Sequence, residues 1–76
     1  MVQATVRQWD EDEGWGIIDS EETPGGCWAN FSVIEMPGYR FLTAGDSVIL
    51  EWVAGEQDGF DYVAVRITPS PETSKG

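Results

Sequence analysis

Glu13-Gly14-Trp15-Gly16-Ile17-Ile18, followed after a short loop by Cys27-Trp28-Ala29-Asn30-Phe31, is the stretch whose reading decides the fold. Side chains of an extended strand alternate between faces, so Trp15 and Ile17 point one way and Gly16 and Ile18 the other. With Ile18 turned to a core, Trp15 and Ile17 face water. In the second run Trp28 and Asn30 do the same, while Cys27 and Ala29 turn inward. Two indoles on adjacent antiparallel strands make a flat platform, and unstacked nucleobases suit such a platform because every base has a π-face. Single surface aromatics need no explanation, but a pair joined by a short loop, one of them flanked by glycines that leave its ring uncrowded, does.

Working outward, residues 2–9 read as a first strand, with Val2, Ala4 and Val6 alternating against Gln3, Thr5 and Arg7. Strict alternation would bury Gln8, so a bulge is expected there that turns Gln8 out and lets Trp9 pack partly inward. Asp10-Glu11-Asp12-Glu13 forms an acidic turn into the second strand, residues 14–19. Thr23-Pro24-Gly25-Gly26 is loop chemistry. The third strand is residues 27–30, and residues 31–34 have room for a single helical turn. Residues 35–46 make a long irregular connection broken by Pro37-Gly38, of a length that suits the crossover between two halves of a Greek-key barrel. The fourth strand is expected over 47–54 and its turn over 55–59. The fifth is expected over 61–67, with Val63, Val65 and Ile67 inward and Tyr62, Ala64 and Arg66 outward. The domain is drawn as residues 1–68 and a flexible tail, rich in Pro, Ser and Thr, as 69–76.

A chain of 76 residues holds one small domain with one core. Its single cysteine forms no internal disulfide, and Cys27 on an inward face reads as a small buried hydrophobe, which fits a reducing cytoplasm. No apolar run reaches membrane-spanning length and no signal pattern opens the chain. Fourteen acids against four bases give a net charge of −10, which favours a monomer and repels polyphosphate.

Without histidine, Ser-His-Asp, Cys-His and histidine-metal sites are excluded. Cys27 has no base partner, and the acids sit on exposed turns rather than paired in the cleft that acid–base catalysis needs. The acidic turn lacks the alternating ligands and turn glycine of an EF-hand, and Gly14-Trp15-Gly16 leads into a strand rather than a phosphate-binding helix. No enzyme, metal or cofactor is expected.

The chain from Val2 to about Ile67 resembles the cold-shock domain of bacterial cold-shock proteins. Glu13-Gly14-Trp15-Gly16-Ile17-Ile18 is similar to the first ribonucleoprotein motif, K-G-F-G-F-I, and Cys27-Trp28-Ala29-Asn30-Phe31 to the second, V-F-V-H-F. Phe31-Ser32-Val33-Ile34 matches F-S-A-I, and Gly38-Tyr39-Arg40-Phe41-Leu42 matches a G-F-K-T-L segment. The resemblance implies an all-β fold, a five-stranded antiparallel, partly open Greek-key barrel of the OB type that binds single-stranded RNA or DNA without catalysis. It implies binding positions at Arg7, Gln8, Trp9, Trp15, Ile17, Trp28, Asn30, Phe31, Tyr39 and Arg40. Trp15 and Trp28 keep or enlarge the stacking area, Phe31 matches outright, and Tyr39 fills a loop position usually held by Phe. Ile17 offers apolar contact without a π-face, Asn30 hydrogen-bonds without a ring, and Gln8 stands where a stacking Trp is usual. Glu13 reverses the charge of the lysine that opens the first motif. At about 1–3 kcal/mol per stacked base, the remaining aromatics suffice for binding. With only Arg7 and Arg40 near the face, the salt slope should correspond to about two phosphates or fewer. Weak binding dominated by stacking is expected. A second reading stands open, in which the acid-rimmed aromatic patch docks on a basic protein partner.

Overall fold

The computed structural model describes residues 1–35 and 42–70. Among the described residues five strands follow one another: β1 (Val2–Asp10), β2 (Trp15–Asp19), β3 (Cys27–Asn30), β4 (Ser47–Gln57) and β5 (Phe60–Pro69), with a 3-10 turn (Phe31–Val33) after β3. They pair in the order β1-β2-β3-β5-β4 and close into a barrel through β1 and β4, the Greek-key topology of an OB fold. The barrel is closed where a partly open one was expected. The pairing of β3 with β5 is parallel, with Trp28 opposite Val63, and the other four pairings are antiparallel. The parallel seam follows from the path of the chain. After β3 the chain crosses to pair β4 against β1, and β5, returning antiparallel to β4, then runs the same way as β3.

Alternation supplies the core. Ala4 and Val6 from β1, Ile18 from β2, Cys27 and Ala29 from β3, and Val48 and Leu50 from β4 all point inward, and Ile34 and Leu42 close over them. Full burial of a side chain such as Ile18 or Leu50 is worth about 1.5–3 kcal/mol. Small Cys27, Ala29 and Ala64 leave the space that the large Ile18, Leu50 and Ile67 fill. Burial pushes the Cys27 thiol up to about 11, so it packs as a protonated hydrophobe.

Three elements differ from the sequence expectation. β4 does not stop at Ala54. It runs on to Gln57, and the reversal is a two-residue turn at Asp58 and Gly59, whose φ values of 50° and 88° are the left-handed pair that matches the twist of a hairpin. In β5 the expected parity holds at Ile67 and inverts before it. Glu51 pairs with Arg66 and Trp52 with Ala64, so Val65 is an extra residue bulged out of β5. Val65 is therefore 47% exposed and Ala64 3%. Tyr62 turns inward with Ala64 and meets Trp52 edge to face, ring centroids 5.2 Å apart. Finally, β5 continues through Thr68 and Pro69, which pair with Ile49 and Val48, and Ser70 is buried with its N–H donating to the Ser47 carbonyl at 3.2 Å. β5 thus runs two residues past the end expected at Ile67.

Candidate nucleic-acid interface

The registers arrange the outer face in rows. Gln8 of β1 lies opposite Ile17 of β2, Ile17 opposite Trp28 of β3, Trp28 opposite Val63 of β5, and Val63 opposite Val53 of β4. Beside that row runs a shorter one, Asp10 to Trp15 to Asn30. Trp15 and Trp28 sit diagonally across β2 and β3 with rings 6.3 Å apart between centroids and 16° from parallel. The two indoles are thus stacked against each other on the outer face to which the alternation assigns them, each partly buried rather than fully open.

A bulge of β1 builds one edge of this face. The β1–β2 register slips between Val6 and Gln8, leaving Arg7 as the extra residue, so both Arg7 and Gln8 turn outward and are exposed. The same slip rotates Trp9 inward, where it packs against the core over Gly16. A Cβ at Gly16 would lie 2.3 Å from Trp9 Cε3 and 2.4 Å from the Gln8 carbonyl oxygen, so glycine is required there to seat Trp9. Gly16 stands beside Trp15 in the sequence, but its structural task is on the opposite face.

Phe31 forms another edge. Its N–H donates to the Gly14 carbonyl at 2.8 Å, and its ring rests on Gly14, where a Cβ would come within 2.9 Å of Cδ1. Gly14 also has a φ of 77°, which side chains with a Cβ rarely adopt. The Phe31 ring remains 48% exposed. Asn30 caps the 3-10 turn by accepting from the Ser32 N–H at 3.0 Å, so its amide oxygen is already engaged.

Ile17 departs from expectation. It points outward with Trp15 but is only 1% exposed, so it does not face water. A Cβ built at Gly26 would lie 2.8 Å from Ile17 Cγ2, 2.9 Å from Arg7 Nη2 and 3.2 Å from Phe60 Cε1, and these groups converge over the strand. Phe60 and Val63 belong to this outer face and escaped the sequence reading. Both come from β5, whose seam with β3 is a contact between segments far apart in the chain. Tyr39 and Arg40 lie outside the described residues.

The electrostatics are set by pairing as much as by total charge. Arg7 binds Asp19 with two nitrogens: Nη2 lies 2.6 Å from Oδ1, and Nε donates to both carboxylate oxygens at 3.1 Å. Nη2 also donates to the Gly25 carbonyl at 3.1 Å. The hydrogen bond to Asp19 raises the already high pKa of the guanidinium further. Arg66 pairs with Glu51 at 3.6 Å. Among the described residues, both arginines thus have a carboxylate partner, while Asp10 and Glu13 stand exposed around Trp15.

No protein-family model matches the chain. Individual relatives do. A cold shock-like protein CspD from Haemophilus influenzae is 33% identical over 75 residues, covering 99% of this chain and all of the relative. The CspD of Escherichia coli is 33% identical over 67 residues, 88% of this chain and 90% of the relative. A cold shock protein CspA from Staphylococcus saprophyticus is 35% identical over 57 residues, 75% of this chain and 85% of the relative.

Proposed function

Because the chain belongs to the cold-shock protein family, whose members bind nucleic acid without catalysing a reaction, we propose that its outer face binds short unpaired RNA or DNA by stacking. The observation that carries this reading is the near-parallel pair of Trp15 and Trp28 on the outer surface of β2 and β3, with the exposed Phe31 ring at its border. Each base stacked on such a ring contributes about 1–3 kcal/mol by the usual measure of aromatic deletion. Duplex bases are already stacked on one another and gain nothing from the platform.

Binding is weak and depends little on phosphate contacts. Asp10, Glu13 and Asp19 border the rings, and Arg7 is engaged by Asp19. Few counterions are released on binding, and the salt slope is correspondingly shallow. Titrating indole fluorescence with short oligothymidine or oligouridine at low salt tests the reading. Saturable quenching, lost in Trp28→Ala, is the expected result. A flat titration to high micromolar strand would overturn it and favour a basic protein partner on the same patch.

A further inference from the structure

Asp19 occupies a particular place on the outer face. β2 presents Trp15, Ile17 and Asp19 outward in succession, so the carboxylate stands at the end of the row that carries the platform. The bulge in β1 throws Arg7 out beside it, and the carboxylate engages Nε and Nη2 along one edge of the guanidinium. The geometry is the fork that an arginine offers to a phosphate, here filled by a carboxylate. The Gly25 carbonyl accepts from Nη2 as well, holding the guanidinium against the loop where Ile17 and Phe60 converge.

We propose that Asp19 is an internal stand-in for a phosphodiester, holding Arg7 until a strand's own phosphate takes the carboxylate's place on the guanidinium. This rests on the nucleic-acid reading of the aromatic face and adds to it the residue that sets its affinity and salt response. Exchange of one anion for another at Arg7 yields little net attraction. Strand binding by the wild-type protein therefore relies on the rings, and the cation adjacent to them is withheld. The pair lies at the surface, with the Arg7 and Asp19 side chains 41% and 48% exposed, so an incoming phosphate can reach it without unfolding. Removing the carboxylate frees a preformed phosphate site.

The test compares Asp19→Asn with Asp58→Asn, which removes the same charge at the hairpin turn, where asparagine tolerates the positive φ. Affinity for a short oligothymidine is measured by indole quenching across a salt series, with circular dichroism confirming the fold of each variant. Asp19→Asn is expected to bind on the order of threefold to tenfold more tightly at low salt, with a slope steeper by about 0.7, the value for one phosphate on a single strand. Asp58→Asn should leave the slope unchanged. In an Arg7→Gln background the advantage of Asp19→Asn over Asp58→Asn should vanish, because the two residues act as one unit. Equal behaviour of the two Asn variants, with the wild-type protein binding strand, would overturn the role of Asp19 alone. Absence of binding by every variant would overturn the nucleic-acid reading along with it.

Discussion

Gly16 and Glu13 stand three residues apart in one motif and carry opposite kinds of constraint. The missing Cβ of Gly16 makes room for the Trp9 ring and the Gln8 carbonyl, and the carbonyl is backbone that cannot swing aside. Gly16→Ala should destabilise the fold by about 1–3 kcal/mol, the usual range for overpacking, read as a lowered urea midpoint. An unchanged midpoint would mean that Trp9 has another place to go. Glu13 is exposed at the entrance to β2, and among the described residues its carboxylate is in no salt bridge. Glu13→Lys should leave the unfolding free energy read from urea within about 0.5 kcal/mol of the wild type while strengthening oligothymidine binding on the order of threefold at low salt. Indifference of a correctly folded variant would count against strand binding at this face. The glycine's importance was visible in the sequence, but its reason was not, because Trp9 reaches Gly16 only through the β1–β2 register.

At the scale of elements, two irregularities in strands shape the outer face. The slip between Val6 and Gln8 turns two consecutive residues outward, and the extra Val65 inverts the inward-facing set of β5. The first was legible because burying Gln8 and exposing Trp9 together conflicts with hydrophobicity. The second was not: Val63, Val65 and Ile67 alternate without conflict, and only pairing with Glu51 and Trp52 shows the break. The hairpin between β4 and β5 teaches the reverse lesson. Asp58-Gly59 is a strong local signal for a two-residue turn, and it outweighs the Gly55 that suggested an earlier end to β4. Gly59 has a φ of 88° with open space where a Cβ would go, so Gly59→Ala carries only the conformational penalty. A loss of about 1 kcal/mol in urea unfolding is expected, with oligothymidine affinity unchanged. A collapse of binding would instead place the hairpin in the site.

For the whole molecule, the closed barrel and its charge act together. Cys27 has no exposed surface, and its thiol is pushed up to about 11 from 9.0 by burial. Sign matters here. Below pH 9 the thiol is protonated in both states, so its contribution to stability is intact there. Above it, the unfolded chain ionises first, and that contribution is lost as pH rises toward 11. Urea midpoints should fall over this window in the wild type and fall less in Cys27→Ala, which starts from a lower midpoint because of the cavity. In the native protein at pH 8 the thiol should resist a bulky disulfide reagent and react fully in urea. Rapid native reaction would show that the barrel opens more readily than its packing implies.

The sequence by itself determined the β-strand alternation, the inward Ile18, Cys27 and Ala29, the outward Trp15 and Trp28, and the family to which the chain belongs. These depend on residues near one another in the chain, where the two-residue period of a strand leaves little choice. Tertiary structure alone decided the parallel seam of β3 with β5, the cover over Ile17, the outward Val65 and the capture of Arg7 by Asp19. Each of these depends on how one strand is set against another, and register, which a single inserted residue can shift, settles which side chains meet there.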